Sequence, residues 1–405
     1  MPKLLVRDLA QAVSPAGDAA PLRGSAAAEL ELVEDAYVLC EGDRIAAVGR
    51  MADLGRLDGE VEELDGRGRA AVPGLVDCHT HACFAGDRAG EFELRAGGAT
   101  YEELHAAGGG ILSTVRATRE AGPDGLAAGL ARHRAWMVAA GTTTFEGKSG
   151  YGLDRDTELA QLRAVRAAGG VPTWLGAHAV PPEFSNADAY LDFALAEVLP
   201  EAAKLAEAAD VFVERGAFDA SQARRYLEAA RSAGLVLRLH ADQFTEAGGV
   251  PLAIDLDARS VDHLEATGPN GVQALAASDV AAVLLPIAAL FLGRPMPPAR
   301  KLLEAGAIVA LATDFNPGSA FCERLPIAMT LACTQAGLPP AAALVAATVN
   351  AAHVLGRAQQ VGRIAPGYAA DLVLVDAPDW RHLVYHLGGE VVAAVVKDGA
   401  VAWAR

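Results

Sequence analysis

Between residues 70 and 330, short apolar runs alternate with longer stretches rich in Ala, Leu and Arg. The runs are AAVPGLVD (70–77), AGTTTFEG (140–147), GVPTWLGAH (170–178), ADVFVE (209–214), GLVLRLH (234–240), RSVDHL (259–264), DVAAVLLP (279–286) and GAIVALATD (306–314). Most are continuously apolar rather than alternating, as in parallel strands covered on both faces. Helical composition fills the intervals, for example 159–168 and 221–234. Eight β/α units in about 250 residues is the size of a (β/α)8 barrel. The longest apolar run, 280–292, is broken by Pro286. It is too short to cross a bilayer and suits a buried strand.

The two ends read differently. Residues 36–49 (AYVLCEGDRIAAVG) hold a hairpin pattern turning at Glu41-Gly42-Asp43, and the tail offers ADLVLVDAP (370–378) and EVVAAVVKDGAVAW (390–403). The last of these turns at Lys397-Asp398-Gly399. With no helix between them, these strands predict a small β-sandwich-like domain built from both termini, 1–69 and 356–405. The barrel, 70–355, is inserted between the two parts, and the α/β fold class follows.

Composition narrows the function. Of 405 residues, 52% are hydrophobic and 21% charged, the balance of a folded chain. The net charge, 34 − 51 = −17, argues against nucleic acid or an anionic membrane as partner. A small anionic substrate would have to be gathered by a local positive site. The N-terminus lacks a signal-peptide core, and five irregularly spaced cysteines form no disulfide framework, so the cytoplasm is the expected setting.

The unusual polar residues fall at the ends of the predicted strands. Of the ten histidines, His79, His81, His178, His240 and His263 lie there; the others sit in helices or the tail. Lys148 and Tyr151 follow the second strand, Glu214 closes the fourth, and Asp314 ends the eighth. Catalytic groups of a (β/α)8 barrel stand at these ends. In an extended segment residues i and i+2 point the same way, so His79 and His81 can face one ion while Thr80 turns elsewhere. His240 and Asp314 could add a third nitrogen and an oxygen. Three imidazoles and a carboxylate suit Zn²⁺ or Fe²⁺ with a position left open. Cys78 and Cys83 have no second pair and read as small buried residues rather than a zinc finger. Gly108-Gly109-Gly110 lacks a P-loop lysine and the dinucleotide spacing, and reads as a loop.

Six segments carry a more specific likeness: PGLVDCHTHACFAGDRAGEFELR (73–95), AGGGI (107–111), KSGYGL (148–153), GAHAVPPEF (176–184), HADQF (240–244) and TDFNPGS (313–319). In these the chain resembles the imidazolonepropionases, a family of the metal-dependent amidohydrolase superfamily. The His-x-His after Pro-Gly-x-x-Asp is shared across the superfamily, whereas KSGYGL and DFNPGS are particular to this family.

The resemblance implies hydrolysis of the cyclic amide of 4-imidazolone-5-propanoate to N-formimidoyl-L-glutamate, the third step of L-histidine degradation. It implies one Zn²⁺ or Fe ion held by His79, His81, His240 and Asp314. Substrate contacts fall to Arg88, Tyr151, His178, Asn316, Gly318 and Ser319, with Gln243 and His263 near the reacting centre. Gln243 departs from the glutamate of some members and cannot act as a base, which leaves His263 as the proton acceptor and Asp314 as the carrier to the leaving nitrogen. Arg88 is expected to grip the propionate through its planar fork, and Asn316–Ser319 to offer backbone N–H groups to an anion. Lys148 follows the second strand, not the fourth, where binuclear members place a bridging lysine; one metal is expected, with Lys148 either a structural pair or a substrate contact. Glu214 is read as structural. A homodimer is expected, with the apolar stretch 326–338 contributing. Another mononuclear amidohydrolase, such as a cyclic-base deaminase, and a barrel without catalysis remain the alternatives.

Overall fold

The computed structural model describes residues 2–98 and 109–405. His105 and Gly108 therefore lie outside the described residues. The apolar runs become strands Leu75–Asp77, Thr142–Lys148, Val171–Ala177, Ala208–Val213, Val236–Ala241, Ser260–His263, Ala281–Leu284 and Ile308–Leu311. Each pairs in parallel with the next, so spatial order follows chain order through one 8-stranded sheet. Helices pack outside it, which explains why these strands carry no polar alternation.

The sheet curls until its edges meet at the mouth. Thr80 and Phe315 form a parallel bridge. His81 N–H donates to Phe315 O (3.0 Å) and Asp314 N–H donates to His79 O (3.1 Å). One step below, the buried Asp77 carboxylate accepts from Thr313 N (3.1 Å) and Thr313 Oγ1 (2.6 Å). The seam that closes the barrel is thus also the place where the histidine pair meets Asp314.

The terminal strands form one mixed sheet with its own core, including Leu4, Val6, Leu9, Val38, Ile45, Leu372, Leu374 and Val396. Its longest strand, Lys3–Pro15, escapes the alternation pattern because the register shifts between Val6 and Leu9, where Asp8 takes φ +51°. Such a bulge breaks the period of two that sequence reading relies on.

Three sequence expectations change. The run 70–77 divides: Ala70–Pro73 pairs with the terminal strands at Gln11 and Leu372, and only Leu75–Asp77 enters the barrel. Gly74 makes the crossing, and a Cβ there would overlap the Thr143 side chain (Cγ2 at 2.7 Å) and approach Asp371 Cβ (2.9 Å). The run 280–292 is a strand only to Leu284; Pro286 then opens helix Pro286–Phe291 from its first turn, where proline costs no hydrogen bond. The apolar stretch proposed for a dimer forms helix Leu325–Thr334, whose Leu325, Ala328, Met329, Leu331 and Ala332 pack inside the chain itself.

Gly74→Ala should destabilise the protein by about 1–3 kcal/mol through overpacking at this crossing. Denaturant midpoints compared with wild type will check it; an unchanged midpoint would mean that the two sheets separate freely there.

Candidate metal centre at the barrel mouth

His79 and His81 leave the first strand in extended backbone, and Thr80 between them turns to the second strand, its Oγ1 donating to Glu146 O (2.6 Å). His240 comes from the fifth strand, His263 ends the sixth, and Asp314 follows the eighth. The last two adopt left-handed backbone, φ +86° and +56°, a strained state that only a firm surround maintains.

These side chains converge. Asp314 Oδ1 lies 3.4 Å from His79 Nε2 and 3.3 Å from His81 Nε2. His240 Nε2 and His81 Nε2 face each other at 3.4 Å. Two overlapping groups have ligand atoms within 4.8 Å of one another: His79, His81 and Asp314, and His79, His240 and His263. The four residues singled out in the sequence therefore come together, and His263 joins them, its ring centroid 5.8 Å from that of His79 and 5.4 Å from that of His240.

The donor set fits a cation. His79 Nδ1 donates to Asp262 Oδ2 (2.5 Å) and His240 Nδ1 to Asp210 Oδ1 (2.9 Å), which fixes the tautomers and leaves each Nε2 bare. Burial pushes His79 down to about 4 and also lowers His81 and His240, so the rings are neutral ligands. Burial opposes the charge of Asp314 as well, yet the facing His79 and His81 and the nearby His263 hold it well below the usual carboxylate range. The buried His79 Nε2 has no hydrogen-bond partner. Bare nitrogens and a carboxylate crowded together out of water are stabilised by a shared cation.

His263 differs from its neighbours. Burial would lower it, but Glu265, whose Oε1 accepts from Nδ1 at 3.4 Å, raises it above the ordinary value.

Around this centre stand the other predicted residues. His178 stacks on His81 (centroids 5.3 Å) and Tyr151 packs against both, 5.7 Å from His81 and 5.3 Å from His178. His178 donates its Nδ1–H to Gly150 O (2.9 Å), and burial holds it well below its ordinary value. Its free Nε2 is thereby left as an acceptor. Gln243 is 6% exposed on the turn after the fifth strand. Glu214 holds that turn by accepting from Phe244 N (2.9 Å), Thr245 N (3.1 Å) and Thr245 Oγ1, a structural part as expected.

Arg88 turns its Nε and Nη2 edge to Glu91, forming an ion pair. Its Nη1 lies against Gly318, where any Cβ would sit 2.8 Å from Arg88 Cζ. The fork expected for a substrate carboxylate is thus half used by Glu91. Gly318 and Ser319 donate their N–H groups to Asn316 Oδ1, both at 2.8 Å. They are spent on the turn rather than offered to an anion, which corrects the sequence reading. Asn316 Nδ2 in turn donates to Asp314 O (2.7 Å) and Ser319 Oγ (2.9 Å), so this turn braces Asp314. Lys148 is fully buried, its ammonium paired with Asp210 and Glu146, the ion-pairing alternative of the sequence reading.

Sequence reasoning missed Asp210, Asp262, Glu265 and Glu158. A signal was present for Asp210, a lone acid inside the apolar strand Ala208–Val213, whereas Asp262 lies beside His263 in the polar run RSVDHL. Glu158 lies within helix Arg155–Ala167, and its Oε1 accepts from Gly150 N, Gly152 N and Leu153 N, each at 2.9 Å. It holds the loop that carries Tyr151 and supplies the carbonyl for His178.

An adenosine deaminase from Xanthomonas campestris with bound zinc shares the fold, with TM-score 0.73 at 21% identity over 99% of this chain and 93% of that one. Residues 70–402 match the amidohydrolase family. Imidazolonepropionases of Rubrobacter xylanophilus and Chloroflexus aggregans are 63% and 49% identical to the chain, each over 98% of both sequences. The chain belongs to the amidohydrolase family, and within it to the imidazolonepropionases.

Glu158→Ala strands three buried N–H groups and should cost about 3 kcal/mol or more, whereas Glu158→Gln, which keeps one acceptor oxygen, should cost less. Chemical denaturation of both variants measures the difference; equal losses would show that the loop does not depend on the acceptor.

Proposed function

We propose that this chain hydrolyses the ring C–N bond of 4-imidazolone-5-propanoate to give N-formimidoyl-L-glutamate, in L-histidine degradation. The observation that carries this reading is the 63% identity to an imidazolonepropionase across 98% of both chains. In this reading His79, His81, His240 and Asp314 hold one Zn²⁺ or Fe ion per chain. When bound, the ion would polarise the lactam oxygen and lower the pKa of an adjacent water.

The side chains do the rest. His263, steadied by Glu265, takes the first proton from the attacking water and returns it to solvent as the carboxylate product leaves. Asp314, ionised at rest, accepts the second proton from the hydroxyl of the adduct and passes it to the leaving ring nitrogen. The water oxygen bonds to the carbonyl carbon, the C–N pair stays on nitrogen, and the proton count closes there. Gln243 cannot take part in that transfer; its amide serves as a hydrogen-bonding partner for the ring. His178 accepts from a ring N–H through Nε2, and Tyr151 donates its hydroxyl beside it. Arg88 meets the propionate through Nη1, with Glu91 fixing the guanidinium plane. Arg95, whose Nη1 lies 3.5 Å from Gly318 O, adds a second positive group at this edge. Asn316, Gly318 and Ser319 form the small-residue floor that lets the tail approach.

A small anionic substrate, rather than nucleic acid or a membrane surface, fits a chain of net charge −17 that gathers arginines locally. Among the described residues no helix is long and apolar enough to cross a membrane. Cytoplasmic location and a homodimer complete the proposal; exposed Tyr385 and Leu387 offer apolar surface for the second copy.

Hydrolysis of imidazolone propionate should fall at least about 100-fold after chelation and return with Zn²⁺ or Fe²⁺. Ammonia release from a cyclic base, with imidazolone untouched, would overturn the reading. Arg88→Lys should raise KM at least tenfold with kcat little changed, and normal KM would remove Arg88 from the site. His263→Ala should lower kcat by about 10²–10⁴ with metal retained, and near-normal turnover would reassign the proton.

A further inference from the structure

Inside the barrel, beneath the mouth, lies a group of charges that the reaction above leaves unused. Lys148 Nζ donates to Asp210 Oδ2 (2.7 Å) and Glu146 Oε1 (2.9 Å), and stands 3.8 Å from Asp262 Oδ2. Glu146 Oε1 also accepts from Arg238 Nη1 (2.5 Å) and Thr173 Oγ1 (2.6 Å). All five charged side chains are buried, with Lys148, Glu146, Asp210 and Asp262 at 0% exposure and Arg238 at 2%. Three acids and two cations are taken out of water, where desolvation can outweigh their attraction and an apolar filling would often serve stability better. Their retention needs a reason beyond the fold.

The connections supply one. Asp210 gives its second oxygen to His240 Nδ1 (2.9 Å), and Asp262 gives Oδ2 to His79 Nδ1 (2.5 Å). Among the described residues, Lys148 is the one lysine or arginine within ion-pair distance of either acid. It therefore ties together two histidines that come from opposite parts of the strand order, each through a single carboxylate.

We propose that Lys148 is a positioning residue for the metal centre, one ammonium group anchoring Asp210 and Asp262 so that His240 and His79 present bare Nε2 atoms to the same ion. It does so without touching substrate or metal. Carboxylates that orient ligating histidines typically govern metal affinity by 10–100-fold, and a single cation that anchors two of them exerts that control twice.

The inference rests on the metal reading of the site, and the test separates the two. Metal-stripped protein is titrated with Co²⁺, with affinity read by competition against a chromogenic chelator and ligand geometry by the visible spectrum. Lys148→Met is expected to bind Co²⁺ about 10–100-fold more weakly than wild type, with an altered visible spectrum. Should that variant fail to fold, Lys148→Met combined with Glu146→Gln removes one charge of each sign. The pair should regain thermal stability yet keep the weakened Co²⁺ binding, because Asp210 and Asp262 still lack their shared cation. Wild-type affinity and spectrum in either folded variant would overturn the positioning role, since a lysine that only balances charge would change stability alone. Failure of the wild-type protein itself to take up Co²⁺ would instead overturn the metal reading.

Discussion

The structure depends on the seam where the first and eighth barrel strands meet. Without hydrogen bonds between His79 and Asp314 and between His81 and Phe315, the sheet would present two open edges at its mouth. Closing it brings the His79–His81 pair against Asp314, residues more than 230 positions apart. Architecture and chemistry share the same few ångströms. The left-handed backbone at Asp314 and the tight Asn316–Ser319 turn are the local cost of aiming a carboxylate back over the seam.

Behind the mouth, burial does two opposing things. It strips water from the histidines and keeps them neutral, which suits ligands. It also penalises every acid and base in the layer below, so those groups survive only by pairing closely. Lys148, Asp210, Asp262, Glu146 and Arg238 answer that penalty together, and His79 and His240 each gain a fixed tautomer. Two groups of cations stand near the mouth, Lys148 and Arg238 in this layer and Arg88 and Arg95 at the edge, and the second is the edge proposed to receive an acidic substrate.

Much of the site was legible because catalytic residues at barrel strand ends interrupt apolar runs in a regular way. His79, His81, His240 and Asp314 stand at such interruptions, and the structure gathers them. The roles given to Arg88, His178 and the Asn316–Ser319 turn were less legible. Each depends on which hydrogen-bonding atom is already engaged: Glu91 on one edge of the guanidinium, Gly150 O on His178 Nδ1, Asn316 Oδ1 on two N–H groups. Asp210, a lone acid inside an apolar strand, and Asp262, next to His263, carried a signal that chain position alone could not assign to a partner.

Although Val61–Asp65 and the place of Ala70–Pro73 in the terminal sheet escaped it, the sequence by itself determined the positions of the eight parallel strands, the terminal strands within 36–49, 370–378 and 390–403, and the gathering of His79, His81, His240 and Asp314. Local periodicity and residue type are enough for those, since strand ends face one mouth once the barrel forms. Only the tertiary structure decided where the chain passes between its two sheets, because the crossing at Gly74 is set by Thr143 and Asp371 pressing from elsewhere in the chain. It alone decided which carboxylate supports which histidine. A hydrogen bond selects an atom within about 3 Å, and no pattern along the chain records that distance.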